Sequence, residues 1–545
     1  MFCNQCQETL KNVGCTERGV CGKTNDVANL QDLLIHMQRG ISFFQIELRK
    51  KGMADKEADV KLMENLFSTI TNTNFSKEKM LEFIRASIEV REKLRNQCEK
   101  AGMKFDPELP DYAVWDFKTE EEAMSKAPET GHLTFTDEDR RGLYLLVIYS
   151  LKGITAYLHH AYALGYDDDS ISAFMNEALI ATWDRNTPMD QMLNWVMRTG
   201  EYGVKTMDLL DKANTSTYGT PVPTPVNLGV RDRPGILISG HDLKDLHELL
   251  EQTKGSGVDV YTHGEMLPAN YYPFFKRYDN FVGNYGNSWW KQILDFDTFN
   301  GPVILTSNCL VPPLEKYKDR VYTTGVVGFD GVKHIPDRKK GGAKDFSGVI
   351  EHAKKCSPPK QIETGQIVGG FNHATLWELR GKVLDAVKAG KIRKFVVMAG
   401  CDGRHKTREY YTEFAKALPK DAVILTAGCA KYRYNKIVLD SIDGIPRVID
   451  AGQCNDSYSL AVFALKLAKE LNIDVNELPL AFNIAWYEQK AELILLALLY
   501  LGFKNIRIGP TMPAFVTPNI AKILVEKFGL GLNTTVEQDM RVLVG

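Results

Sequence analysis

The sequence has little charge of either sign in excess. Over 545 residues Lys and Arg total 67 against 69 Asp and Glu, a formal net charge of −2. That balance leaves no electrostatic footprint for nucleic acid or for an anionic membrane surface. Long hydrophobic runs are missing too. The strongest apolar stretch, residues 493–503, is too short to span a bilayer. No charged segment followed by an apolar one stands at the start, so no secretion signal is expected. No G-x-G-x-x-G follows a strand-like run and there is no P-loop, so a nucleotide bound in the usual way is not expected. The reading is a cytoplasmic chain of two to four domains.

A reducing compartment disfavours disulfides, so the ten cysteines require another explanation, metal or redox chemistry first. Four of them, Cys3, Cys6, Cys15 and Cys21, fall in the opening MFCNQCQETLKNVGCTERGVCGK with the spacing C-x2-C-x8-C-x5-C. A two-residue gap lets one tight turn aim Cys3 and Cys6 at one centre, and Gly14, Gly19 and Gly22 let a short backbone wrap a compact object. Four thiolates suit an iron–sulfur cluster and a structural zinc ion alike. The single C-x2-C and the unequal wider gaps favour iron–sulfur, with zinc second and a disulfide third.

Residues 29–213 read as helical. Leu30, Leu33, Leu34 and Met37 recur at helical intervals. The stretch from Thr136, taken as its N-cap, runs apolar with period 3.6 to Gly165. His159 and His160 lie on this helix about 100° apart, which speaks for core or surface roles over shared metal ligation. Residues 214–235, rich in Pro, Thr and Gly, read as a linker. Beyond them β-branched runs alternate with helical patterns, the signature of parallel α/β sheets. KKGGAKDFSG (residues 339–348) and CSPPK near Cys356 read as a loop or boundary between two such units. The division expected is 1–220 for the N-terminal cysteine segment and helical bundles, 221–360 for a first α/β domain and 361–545 for a second.

Sites in α/β sheets form at the carboxyl ends of strands. Here those ends repeatedly deliver metal-ligand chemistry. ILISGH ends at His241, VDVYTHGE at Glu265 (with His263 two residues before), VILTSNC at Cys309, FVVMAGC at Cys401, VILTAGC at Cys429 and VIDAGQC at Cys454. LAFNIAWYEQK adds Glu488 and Lys490. Any one of these has a bland reading as a buried small residue or a cap. Four cysteines at equivalent strand ends do not, and the small residues of AGC leave room for a bulky inorganic group beside the backbone. Soft thiolates with an imidazole and two carboxylates suit a mixed iron site.

FCNQCQET, SGHDL, YTHGEMLPA, TSNC, AGCDGR, TAGCAKYR, AGQCND and WYEQKA, in this order along the whole chain, resemble the hybrid-cluster (prismane) family of hydroxylamine reductases. The resemblance implies a helical-bundle domain followed by two Rossmann-like α/β domains with parallel sheets, an architecture shared with carbon monoxide dehydrogenases. It implies a 4Fe–4S cubane on Cys3, Cys6, Cys15 and Cys21 acting as an electron relay. It also implies a hybrid 4Fe–2S–2O cluster on His241, Glu265, Cys309, Cys401 (as a persulfide when oxidised), Cys429, Cys454 and Glu488. Lys490, beside that cluster, is the preferred proton donor, with Glu265, Glu488 and His241 as further catalytic candidates. Cys98 and Cys356 match no ligand. The implied reaction is reduction of hydroxylamine to ammonia and water. Reduction of nitric oxide to nitrous oxide, or transfer of NO to thiols of partner proteins, are the alternatives, and two carboxylate ligands argue against a nickel-type carbon monoxide dehydrogenase site. With no flavin or nicotinamide fingerprint, electrons are expected from an external redox protein.

Overall fold

The structure, a computed structural model, describes residues 1–339, 341–437 and 439–545. Lys340, inside the expected 339–348 loop, thus lies outside the described residues. The N-terminal half is helical, with long helices at Asn25–Lys50, Lys77–Lys100, Glu138–Ala163 and Met189–Tyr218. Their starts follow from capping chemistry: Thr24 accepts from the Val27 N–H and Ser76 from Lys79. The helix expected to begin at Thr136 is capped one residue later. The Asp137 carboxylate takes the N–H groups of Asp139 and Arg140, a stronger acceptor for orphan donors than the neighbouring hydroxyl.

Two six-stranded sheets follow. The first holds β2 (Gly235–Ser239), β3 (Asp259–His263), β4 (Phe281–Asn284), β5 (Val303–Leu305), β6 (Val321–Thr323) and β7 (Lys333–His334), in the spatial order β4-β3-β2-β5-β6-β7. The second holds β9 (Lys394–Val397), β10 (Ala422–Thr426), β11 (Val448–Asp450), β12 (Leu480–Ala485), β13 (Ile506–Gly509) and β14 (Gly531–Leu532), in the order β11-β10-β9-β12-β13-β14. All pairings within both are parallel. A short antiparallel ribbon of β1 (Thr224–Asn227) and β8 (Gln366–Gly369) runs between them. Every residue of β2, β3, β5 and β10 is buried, as expected of parallel strands covered on both faces.

In chain order each sheet reads 3-2-1-4-5-6, the doubly wound arrangement. The strand order reverses between β2 and β5 in the first sheet and between β9 and β12 in the second. A crevice opens beyond the carboxyl ends at each reversal. The helix after β12, Gln489–Tyr500, leaves its sheet to pack against the helices Glu138–Ala163 and Met189–Tyr218, so the bundle and the second sheet share a core. Among the described residues no helix is long and apolar enough to cross a membrane.

Candidate metal centre

The residues that follow the strands at both reversal points meet. Lys490 Nζ lies 3.0 Å from His241 Nε2 and 3.6 Å from Glu488 Oε1, and donates to Asn308 Oδ1 at 2.8 Å. The Cys454 backbone N–H donates to Glu265 Oε2 at 3.0 Å, and Gln453 Nε2 donates to the carbonyls of Glu265 and His241 at 2.8 and 3.2 Å. One ligand atom each from His241, Glu265 and Cys454 falls within 4.8 Å of the others. Cys429 lies beside Cys309, and Cys401 beside Glu488. The first sheet therefore contributes His241, Glu265 and Cys309, and the second Cys401, Cys429, Cys454, Glu488 and Lys490. All are buried except Cys309, which is partly exposed. Trp289, Val311, Trp486 and Tyr487 pack around Cys401 and Cys429 and keep bulk water out.

Local backbone geometry explains how the cysteines converge. Gly400 and Gly428 have φ of +110° and +85°. A Cβ on Gly400 would stand 2.0 Å from the Ala485 carbonyl oxygen, and one on Gly428 would stand 2.3 Å from that of Gly400. These glycines let three strand-end turns stack backbone on backbone, which is a different service from the room for an inorganic group that the AGC motifs imply. Cys309 adopts φ of +72° itself, and its N–H is held by Asn72 Oδ1 at 3.2 Å.

Burial sets the electrostatics of these donors. Burial raises the Cys401 thiol well above the ordinary range. For Cys429 the neighbouring Cys309 thiol is the larger cause and burial the second. Burial pushes Cys454 up to about 12, against the pull of Lys490. Burial also raises Glu265 and lowers His241 well below an ordinary imidazole. Lys490 goes the other way. Burial opposes its ammonium, but Cys454, Glu488, Cys309 and Glu265 outweigh it and hold its pKa above the ordinary lysine value. Glu265 Oε1 is buried with no hydrogen-bond partner, a costly state for a carboxylate oxygen. Four soft sulfurs, one imidazole and two carboxylates with an orphaned oxygen fit a mixed iron–sulfur–oxygen group.

The opening cysteines form a second group. Cys3 and Cys15 exchange backbone hydrogen bonds of 3.0 and 2.8 Å, and Thr9 Oγ1 lies 3.7 Å from Cys15 Sγ. Burial raises Cys6 well above the ordinary thiol, and the nearby Cys21, Cys3, Glu8 and Cys15 add to it. The turn at Lys11 and Asn12 uses two left-handed residues to close the loop. This segment is pinned to the second sheet. The Gln7 N–H donates to the Tyr487 carbonyl at 2.9 Å, Arg404 Nη2 pairs with Glu8 at 2.9 Å, and Arg408 Nη2 donates to Gln7 Oε1 at 2.8 Å.

Several contributors lie outside the expected ligand set. Tyr157, from the helix Glu138–Ala163, donates its hydroxyl to Cys454 Sγ at 3.3 Å. Ser307 Oγ lies 2.7 Å from His241 Nδ1, fixing the ring by its outer nitrogen. Asn72, Asn308 and Gln453 complete the support; the motifs TSNC, which contains Ser307 and Asn308, and AGQCND, which contains Gln453, point to three of these residues, and nothing points to Asn72 or Tyr157. His263 is committed elsewhere, with its nitrogens 3.1 Å from both Ser239 Oγ and Asp295 Oδ2. Cys98 is fully buried with Sγ 3.8 Å from the Phe44 carbonyl, and Cys356 Sγ lies 3.4 Å from that of His352, so both stand outside the two groups.

A helical bundle carrying two doubly wound parallel sheets, with thiols, an imidazole and carboxylates meeting where both sheets reverse, defines a metalloprotein of carbon monoxide dehydrogenase-like fold. Carbon monoxide dehydrogenase IV from Carboxydothermus hydrogenoformans superposes with a TM-score of 0.58 at 16% identity, covering 99% of this chain and 92% of that one. The nickel-free carbon monoxide dehydrogenase from Thermococcus sp. AM4 gives 0.54 at 16%, covering 99% and 90%. The chain belongs to the Prismane/CO dehydrogenase family, whose pattern it matches over residues 1–541. Membership makes it an oxidoreductase of the iron–sulfur class. It is 59% identical over 546 residues to the hydroxylamine reductase of Thermoanaerobacter pseudethanolicus, covering 100% of both chains. It is also 59% identical over 547 residues to that of Caldanaerobacter subterraneus subsp. tengcongensis, again covering 100% of both. With the hydroxylamine reductase of Clostridium novyi it shares 58% over 547 residues, covering 100% of this chain and 99% of the relative.

Proposed function

We propose that the chain reduces hydroxylamine to ammonia and water, NH2OH + 2H⁺ + 2e⁻ → NH3 + H2O, at a hybrid 4Fe–2S–2O cluster held by His241, Glu265, Cys309, Cys401, Cys429, Cys454 and Glu488. The observation that supports this reading is the approach of His241, Glu265 and Cys454 from the two sheets, beside an orphaned Glu265 oxygen and the Lys490 ammonium, which contacts His241 and Glu488. The names of the full-length relatives support the substrate. When bound, the cluster supplies the electrons and the Lewis-acidic iron for N–O cleavage.

The remaining work falls to side chains. Lys490 is a buried cation among the described residues in contact with His241, Glu488 and Asn308, so its Nζ–H is placed to deliver a proton beside the donor set. Carboxylates and imidazole engaged as ligands cannot serve freely as bases, so Glu265, Glu488 and His241 position and tune the site. Ser307 holds the His241 ring, and Tyr157 and Asn308 present hydrogen-bond donors to Cys454 and Cys309. The aromatic packing around Cys401 and Cys429 limits access to small substrates.

Cys3, Cys6, Cys15 and Cys21 are proposed to hold a 4Fe–4S relay. The Gln7–Tyr487 hydrogen bond joins the residue after Cys6 to the residue before Glu488, a short connection between the two centres. Electrons then come from an external redox protein. The test is anaerobic metal and sulfide analysis with turnover. About eight irons per chain are expected from two four-iron clusters, and zinc alone would overturn the assignment. Lys490→Met should lower hydroxylamine turnover about 100-fold or more with iron content unchanged; undiminished turnover removes Lys490 from proton delivery. Running NO beside hydroxylamine with one reductant decides the substrate, since a faster NO rate would displace hydroxylamine.

A further inference from the structure

His159 and His160 follow one another on the helix Glu138–Ala163, so their Cβ directions diverge, yet their rings turn toward a common point. A ligand atom from each, and one from the Asp242 carboxylate, all lie within 4.8 Å of one another. Three such atoms share a centre at most about 2.8 Å away, so shifts under about 1 Å reach the 2.0–2.2 Å of bound divalent metals. Nδ1 of both imidazoles is buried with no hydrogen-bond partner, and His160 is only 8% exposed. A buried imidazole nitrogen without a partner is rare and calls for an unseen ligand.

Asp242 is equally underused. Its Oδ1 caps the helix Leu243–Thr253 by accepting from Lys244 and Asp245. The nearby cations are taken by other carboxylates: Arg338 pairs with Asp245 and Glu248 at 2.6 and 2.8 Å, and Lys344 with Asp245 at 3.0 Å. Among the described residues Asp242 has no salt-bridge partner of its own.

We infer that His159, His160 and Asp242 form a mononuclear site for a divalent cation of the zinc or iron(II) type. Two imidazoles and one carboxylate favour such a metal over calcium or magnesium, which require oxygen ligands. The site is separate from the candidate cluster. His160 stacks against His241 at a ring-centroid distance of 6.3 Å, and none of its three ligands belongs to the seven proposed above. The inference does not depend on the reaction assigned to the cluster.

The probe is Zn²⁺. Anaerobic holoprotein, washed with a mild chelator, is dialysed against micromolar zinc and analysed for zinc and iron, and its crystals are measured on both sides of the zinc absorption edge. The expected result is one zinc per chain, an anomalous peak between His159, His160 and Asp242, and unchanged iron. His159→Asn, at a half-buried position, should weaken zinc binding at least about tenfold while iron stays constant, since even outer-shell losses cost that much. No zinc, a peak elsewhere, or equal affinity in His159→Asn overturns the site. His160→Asn is a second arm, read in the same way wherever its iron content matches the parent.

Discussion

Tyr157→Phe isolates one hydrogen bond at the proposed cluster. Tyr157 is 1% exposed, its hydroxyl stands 3.3 Å from Cys454 Sγ, and burial raises its pKa well above the ordinary phenol, so it remains a donor at any working pH. Phenylalanine keeps the ring and removes only the oxygen, leaving no space a side chain must fill. A hydrogen bond to a charged acceptor contributes about 1.5–3 kcal/mol. Both redox states of a ligated sulfur accept it, the more reduced one more strongly, so a differential of about one-third leaves roughly 0.5–1 kcal/mol. At 59 mV per factor of ten for one electron, this is about 20–45 mV. The sign follows from the donor favouring the more negative state: its loss makes reduction harder. The assay is an anaerobic potentiometric titration followed by EPR, with the opening four-cysteine centre as internal reference. Expected is a midpoint about 20–45 mV more negative at the hybrid centre alone. A shift in the opposite direction, or an equal shift in both centres, would refute the reasoning.

Gly428→Ala places a methyl group 2.3 Å from the Gly400 carbonyl oxygen at a φ of +85°. Strain and overpacking together cost about 2–5 kcal/mol, and iron should fall to about four per chain as the opening centre alone stays loaded. Full iron content would show that the two turns can part without losing the site. Cys6→Ser should abolish the opening centre and slow turnover driven by an external donor while the hybrid centre keeps its EPR signature. Undiminished turnover would remove the relay. Asp111 is held down at about 2, chiefly by the hydrogen bond from His36 and further by Lys126. Its folded value lies below the ordinary 3.8, so its contribution is complete above about pH 4 and is lost as pH falls through 2. Asp111 is half exposed, so screening keeps this under about 1 kcal/mol. The Tm deficit of Asp111→Asn should shrink as pH drops from 5 to 2, and a deficit independent of pH would rule the ion pair out.

Strand-end residues were legible because a parallel sheet writes itself plainly: a β-branched run, a glycine, then the candidate ligand. His241, Cys401 and Cys429 stand where that grammar places them, and the parallel sheets and helical bundle follow from the same patterns. Contacts made across the chain were not legible. Asn72 reaches the Cys309 N–H from 237 residues away, and Tyr157 reaches Cys454 from 297; both sit in stretches that read as ordinary helical-domain sequence. Gly400 and Gly428 of the AGC motifs stand against the carbonyl oxygens of neighbouring turns, a role the sequence does not announce, because composition cannot tell space for a ligand from space for another backbone. His159 and His160 show the same limit. A helical wheel gives the direction of Cβ but not the side-chain torsions that turn two rings toward Asp242.

The split of the donors between the two sheets has a mechanical consequence. Neither sheet holds enough of the proposed centre to bind it alone, since three ligands lie on one and four on the other. Any affinity for the inorganic core is thereby also adhesion between the sheets, transmitted through Gln453, which already ties the second sheet to the carbonyls of His241 and Glu265 in the first. Loading the centre fastens the joint, and damage to it, by oxidation or by loss of iron, would be felt first as a hinge coming loose.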